Sequence, residues 1–369
     1  MILVFLLYRG LSQSRKPERY KKQYNYQPHS IKQQMNSVSL KDIPIPMQEV
    51  SLRPVIPPEL VHFHLISLKE SDQKTMEQIV KITQSIPRPH PMLHSLSKGV
   101  DDSEELYQLV KSDPVIAAKI LQTVNSASIY LTHKITRLNH AILYLGTIMI
   151  KNIALQCVIS TNMPTKDKQL NLAFEKIWAN GFLASSLAFI FAKNLGFENA
   201  AELATQTLLT YIGNLAIITY QPQLAYIFSE KVSLFERVRI EQQELGTHSA
   251  LVGSQLALEW KLPQEIIEGI RNNLIPLGVV PEQCELQGEN LRNIVLCYVC
   301  CRTSELIMDK ELNDIADVNL LDDALLELFY LPEYVRMAEL QQIFTLLHKP
   351  AVRNEANKLI QKIGGPSTI

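Results

Sequence analysis

Cys297, Cys300 and Cys301 fall within the run Ile294-Val-Leu-Cys-Tyr-Val-Cys-Cys301, and a Cys-x-x-Cys spacing can serve redox or metal chemistry. Here the flanking residues are apolar and helical in pattern. Positions i, i+3 and i+4 share one helix face, and free cysteine is among the most buried residue types, so packing is the expected role. His62 and His64 alternate with apolar residues and bring no companion set of zinc ligands. His90 and His94 stand among Pro87, Pro89 and Pro91, in a loop leading into the main body. His248 sits near an expected helix start, where a lone histidine usually caps or fills a core. No P-loop, GxGxxG or GxSxG pattern is present.

The elements that must position these groups read as helices. From about residue 60 the apolar period is near 3.6 and strand alternation is scarce. Asp113-Pro114 predicts an N-cap and first helical residue for a helix to Val124, ending near Asn125-Ser126. Thr136 is expected to cap a short helix over 139–145 closed by Gly146, and Thr147 the next, over 148–160. A long apolar helix is expected over 172–195, closed by Gly196. Further helices are expected at 199–211, 213–219, 234–245, 248–260 and 263–273, then at 289–309, 319–329, 332–347 and 350–363. No βαβ unit and no fixed-period repeat is visible. The fold class is all-α.

The chain has 369 residues, 46% apolar and 20% charged, with a net charge of −1. No apolar run reaches the ~20 residues of a spanning helix, which excludes a polytopic membrane protein, and the composition excludes wholesale disorder. A near-neutral balance argues against nucleic acid as a partner. Five cysteines, an odd number in a long chain, fit a reducing, cytoplasmic compartment.

The charge is uneven. Residues 1–22 carry +5, leaving −6 on the remainder. Two readings of residues 1–22 stand side by side. One is a disordered tail with an apolar octet, Met1 to Tyr8. The other is a membrane-surface anchor at the inner membrane, or the stub of a spanning helix shortened by a misplaced start. Residues 23–60, rich in Gln, Asn, Ser and Pro, read as a linker, and 61–85 as a helical lead-in.

The ordered series Asp113-Pro114, Lys119 to Ala127 with Asn125-Ser126, Ile135-Thr136, Leu145-Gly146, Trp178, Thr207 to Gly213, Glu244-Leu-Gly246-Thr-His248, Val252-Gly253 and Trp260-Lys-Leu-Pro263 resembles an HDOD domain over about residues 86–275. The resemblance implies an all-helical bundle related to the HD phosphohydrolases, found in bacterial signalling proteins and typically without their metal ligands. Residues 276–369 are then a helical C-terminal extension, packed on the domain or forming a partner surface.

An HD hydrolase needs imidazoles and carboxylates around metal so that a bound water ionises near neutral pH. By the resemblance, the His-Asp pair would stand at Thr210-Tyr211, an earlier His at Asn180 and a terminal His-His at Asn272-Asn273. Only His248 keeps a histidine where the family commonly has one. No catalytic residue, metal ligand or cofactor is therefore expected. The resemblance implies a non-enzymatic signalling module whose partners are other signalling proteins. Two alternatives remain open: a cyclic di-GMP-type nucleotide sensor using a vestigial cleft of Asn180, Thr210, Tyr211, His248, Asn272 and Asn273, or a phosphohydrolase with a non-standard metal set.

Overall fold

The computed structural model describes residues 55–98, 100, 102–125, 134–159 and 167–362. Residues 1–54, including the basic tail and most of the linker, lie outside them, as does Ser126. The helices of six residues or more are α1 (Gln73–Thr83), α2 (Met92–Ser97), α3 (Ser103–Lys111), α4 (Pro114–Val124), α5 (Leu138–Leu145), α6 (Thr147–Ile159), α7 (Lys168–Asn194), α8 (Ala200–Leu209), α9 (Ile212–Tyr220), α10 (Leu234–Leu245), α11 (Ser249–Glu259), α12 (Gln264–Asn272), α13 (Gly288–Asp309), α14 (Leu331–Met337) and α15 (Pro350–Lys362). No strand occurs among the described residues. The protein is all-α.

Local chemistry sets the boundaries. Asp113 caps α4 by accepting from Val115 and Ile116 N–H, with Pro114 at the first turn. His90 pairs with the other carboxylate oxygen of Asp113 at 3.0 Å, tying the loop before α2 to the start of α4. Asn125 ends α4 and works as a clamp. Its amide donates to the carbonyls of Leu121 and Ile135, both at 2.7 Å, while its oxygen accepts from Ile135 N–H at 2.8 Å. Gly146 and Gly246 follow α5 and α10 at φ +86° and +66°, a backbone region that favours glycine.

The differences from expectation have local causes. Arg137, not Thr136, occupies the N-cap of α5 and makes no side-chain cap bond. The long helix starts at Lys168 because Asp167 caps it, accepting from Gln169 and Leu170 N–H. The segment 319–329 holds only a 3-10 turn, Leu326–Leu328. Asn319 and Asp322 there bond to backbone N–H two residues on, which competes with helix. The expected helix 332–347 is two pieces, α14 and Ile343–Leu346, separated where Glu339 adopts φ +55°.

Two apolar clusters form the core, and α7 serves both. Ile177, Trp178 and Phe182 pack with α4 to α6, α9 and α11, whereas Leu187, Ile190 and Phe191 pack with Phe235 and the residues of α13 to α15. The segment before α1 also reaches the second cluster: Leu60 is buried there, and Phe63 packs on Phe235 with ring centroids 4.9 Å apart. The close approach of α9 to α11 rests on Gly213, where a Cβ would stand 1.9 Å from the carbonyl oxygen of Ser249.

Candidate functional site

Three of the six cleft residues come together, and they come together under α13. Asn180, on α7, is buried and accepts from Ser304 Oγ through its backbone carbonyl at 3.0 Å and its side-chain oxygen at 3.3 Å. Thr210 Oγ1 donates to the Thr207 carbonyl at 2.7 Å and lies 3.7 Å from Cys301 Sγ. Tyr211 donates its hydroxyl to Glu305 Oε1 at 3.3 Å. Gly181 leaves room for that ring, since a Cβ there would lie 3.2 Å from Tyr211 Cδ2.

Glu305 is the electrostatic centre of this contact. Arg302 donates both terminal nitrogens to its two carboxylate oxygens at 2.9 Å, and Arg237 of α10 pairs with Oε2. Burial by itself would raise the Glu305 pKa, but the two guanidiniums outweigh it and hold the carboxyl below its usual range. Tyr211 moves the other way: burial first, then neighbouring Cys301 and Glu305, pushes its phenol well above the ordinary 10.

The cysteines of the Cys-x-x-Cys-Cys run are unpaired thiols, buried in α13. Cys297 Sγ receives hydrogen bonds from Thr207 Oγ1 at 3.1 Å and Gln206 Nε2 at 3.3 Å. Burial nonetheless pushes its pKa up to about 12, and the Cys300 and Cys301 thiols are raised for the same principal reason. Raised thiols are poor nucleophiles.

His248 has a different task. Its Nε2 lies 2.8 Å from the carbonyl oxygen of Ile66, an acceptor only, so the ring proton sits on Nε2. Its Nδ1 is shielded and has no partner among the described residues, and burial drives the pKa down to about 4. Gln242 holds the same strap, accepting from Ile66 N–H at 2.8 Å and donating to the His64 carbonyl at 2.9 Å. Beside it, Glu241 accepts from Ser249 N–H at 2.8 Å. Burial raises this carboxyl to about 7 against that hydrogen bond. Asn272 lines a separate open cleft between α8, α12 and α13, and Asn273 is half-buried at the end of α12.

Sequence reasoning missed Arg237, Arg302, Ser304 and Glu305. The available signal was an Arg-Glu pair at i, i+3 within an otherwise apolar, cysteine-bearing helix.

These donors do not fit a divalent metal. Asn180, Thr210 and Tyr211 offer an amide, an alcohol and a phenol that burial keeps protonated. The adjacent carboxylate is already shared by two guanidiniums, whose charge opposes a cation. Among the described residues no group of three His, Cys, Asp or Glu could hold a metal ion.

The family model for the HDOD domain matches residues 86–276, more than half of the chain. The chain belongs to the HDOD domain family. Among solved structures, this HDOD protein is similar to an HDOD domain protein of unknown function from Geobacter sulfurreducens (16% identity, 78% of this chain and 98% of that one, TM-score 0.49). It is also similar to a protein from Shewanella amazonensis SB2B provisionally named a phosphohydrolase (18% identity, 77% and 98%, TM-score 0.47). A third is a virulence factor from Campylobacter jejuni subsp. jejuni (16%, 76% and 99%, TM-score 0.40). No curated protein matches it in sequence.

Proposed function

We propose that this HDOD protein is a bacterial signalling or regulatory module that acts by binding other proteins and performs no chemistry of its own. The observation that carries the reading is the fate of the positions corresponding to the HD ligands. Asn180, Thr210 and Tyr211 are buried against Ser304, Cys301 and Glu305 of α13, so side chains take up the space a metal and phosphodiester would need. A site closed by well-packed polar pairs favours a structural role for those residues.

The test is turnover. The full chain, purified and assayed with manganese on bis-p-nitrophenyl phosphate and on cyclic di-GMP, is expected to hydrolyse neither above a protein-free blank, and elemental analysis is expected to find well under one transition metal per chain. Hydrolysis that scales with protein and disappears with a chelator overturns the reading.

The proposal extends to place. The +5 charge of residues 1–22 supports contact of an otherwise cytoplasmic domain with an anionic membrane surface. Among the described residues no helix is long and apolar enough to cross a membrane. Deleting residues 1–22 is expected to move the protein from the membrane fraction to the supernatant; unchanged partition refutes this part.

A further inference from the structure

The strap before α1 is held by side chains in the manner of a bound peptide. Residues Phe63 to Ser67 form neither helix nor strand. The Gln242 carboxamide of α10 brackets their backbone, donating to the His64 carbonyl at 2.9 Å and accepting from Ile66 N–H at 2.8 Å. His248, at the start of α11, donates to the Ile66 carbonyl at 2.8 Å. An extended chain presents these three groups, two residues apart, along one edge. Its side chains settle to either side: Phe63 and Leu65 pack on the second apolar cluster and Ile66 on the first. Phe63 meets Phe235 with centroids 4.9 Å apart, and Gly278 admits it, since a Cβ there would stand 2.6 Å from Phe63 Cε1 and 3.0 Å from Leu65 Cβ.

The helices close their cores without this occupant. Among the described residues, every buried member of the two clusters except Leu60 lies at Ile79 or beyond. Phe63, Leu65 and Ile66 are themselves only half-buried, and His64 is exposed. Further along, the strap is fastened by the pair Lys69–Glu285 at 2.8 Å, both side chains exposed, and such a pair contributes little. A segment with few buried apolar contacts opens well below the free energy of global unfolding.

We propose that the groove formed by Phe235, Gln242, His248 and Gly278 docks an extended partner segment of the pattern aromatic-x-aliphatic-aliphatic, and that the strap, as Phe63-His-Leu-Ile66, occupies it in cis until such a segment displaces it. The strap itself shows what the groove takes. The amide bracket requires an extended backbone, Phe235 and Gly278 accept an aromatic ring, and the two clusters accept aliphatic side chains on opposite sides. A segment tethered this closely acts at an effective concentration of about millimolar, so the strap closes the groove to weak ligands and yields it to strong ones. The inference rests on the binding-module reading and names the partner's chemistry and the surface it uses.

Hydrogen exchange on the full chain tests the opening. The Ile66 amide, bonded to Gln242, is expected to exchange at least a hundredfold faster than the amides of 187–191 in α7; equal protection means that the strap leaves only on global unfolding and overturns the proposal. Docking is tested with a fluorescein-labelled peptide of residues 58–70, titrated into the full chain by anisotropy beside a scrambled peptide. The parent is expected to bind it weakly. Phe63→Ala/Ile66→Ala in the chain's own strap is expected to bind it at least tenfold more tightly, because a weakened competitor frees the groove. Adding Gln242→Leu to that variant is expected to remove the gain. Circular dichroism and urea midpoints confirm folding, and Phe63→Leu replaces the double variant if it does not fold. Binding no tighter than that of the scrambled peptide, equal affinity in parent and strap variant, or no effect of Gln242→Leu overturns the proposal. A parent that sediments as a dimer dispersed by the free peptide also overturns it, assigning the groove to the strap of a second copy. Failure here with no hydrolytic turnover leaves the module reading intact, whereas turnover refutes that reading whatever the peptide does.

Discussion

Replacing Glu305 with alanine removes the carboxylate that accepts from Arg302, Arg237 and Tyr211 at once. The side chains of Arg237 and Arg302 are only 9% and 7% exposed, so the substitution strands two guanidiniums in the interior without their counter-charge. Breaking a buried pair in this way costs about 3–5 kcal/mol, a large part of the roughly 5–15 kcal/mol that holds a domain folded. Removing all three charges is a different matter. Arg237→Met/Arg302→Met/Glu305→Leu leaves no charge to solvate, and replacements of this kind range from neutral to stabilising by about 1–4 kcal/mol. Urea unfolding at pH 7, followed by the fluorescence of Trp178 and Trp260, measures both. The single variant is expected to lose about 3 kcal/mol or more, and the triple variant to lie within about 1 kcal/mol of the parent or above it. A Glu305→Ala loss below about 1 kcal/mol, or a triple variant less stable than the single one, refutes the assignment of this cluster as a buried, charge-compensated contact.

Glu241 and His248 oppose each other in pH dependence. The Glu241 pKa is raised from 4.5 to about 7, so its burial lowers stability progressively as pH rises through that window, by about 3 kcal/mol in total. The His248 pKa is lowered from 6.5 to about 4, so stability is lost as pH falls through that window. Glu241→Gln is therefore expected to leave a urea midpoint that climbs from pH 4.5 to 6.5, and His248→Gln one that declines from pH 4.5 to 7; parallel profiles for the two variants contradict the assignment. Gly213→Ala places a methyl 1.9 Å from the Ser249 carbonyl oxygen and 2.8 Å from Gly253 N, backbone atoms that cannot step aside. Its cost is expected at or above the upper end of the ~1–3 kcal/mol typical of overpacking, and a loss under about 1 kcal/mol in the same unfolding assay sinks the close helix contact. Asn125→Ala removes three hydrogen bonds at about 0.5–1.5 kcal/mol each. Asn125→Asp keeps the acceptor for Ile135 N–H but turns an anionic oxygen on two carbonyls at 2.7 Å, and is expected to lose at least as much as Asn125→Ala; a loss under about 0.5 kcal/mol for either variant contradicts the clamp.

Much of the fold was legible because its signals are local. Asp113-Pro114, Gly146, Gly196 and Gly246 state helix ends in their own chemistry, and 3.6-residue apolar spacing states the faces between them. The errors arose where local chemistry competes with that spacing. Leucines recur through 319–329, yet Asn319 and Asp322 turn the backbone toward their own side chains. Leu331 to Leu347 keeps a helical period across a residue that takes a left-handed conformation, Glu339, which no propensity marks. The site was half legible. Asn180, Thr210 and Tyr211 follow from the order of motifs, but their partners lie about 90 to 125 residues further on, and a single sequence does not express which turn of α13 faces them. His248 is named by the same motifs, yet its bond to Ile66 spans 182 residues and joins the domain to the strap before it.

The buried polar residues Asn180, Thr210 and Tyr211 and the inward face of α13 account for one another. If merely covered by apolar residues, the side chains of Asn180 and Tyr211 would lose the partners they have on α13 and sit buried without them, at about 1–3 kcal/mol apiece. An α13 bearing Ser304, Arg302 and Glu305 inward would meet the same penalty against an apolar wall. Facing each other they satisfy most of the donors and acceptors they bury, at 3.0 Å from Ser304 to Asn180 and 3.3 Å from Tyr211 to Glu305. Arg237 then ties the pair to α10, the helix whose Gln242 holds the strap at Ile66. The C-terminal residues are thus more than an appendage. A chain cut after residue 275 would expose Asn180, Thr210 and Tyr211 together with the apolar face of α7 that meets α13, and would lose the counter-charge of Arg237. The segment beyond the family match supplies the wall that makes the buried contact of Asn180, Thr210 and Tyr211 a stable interior.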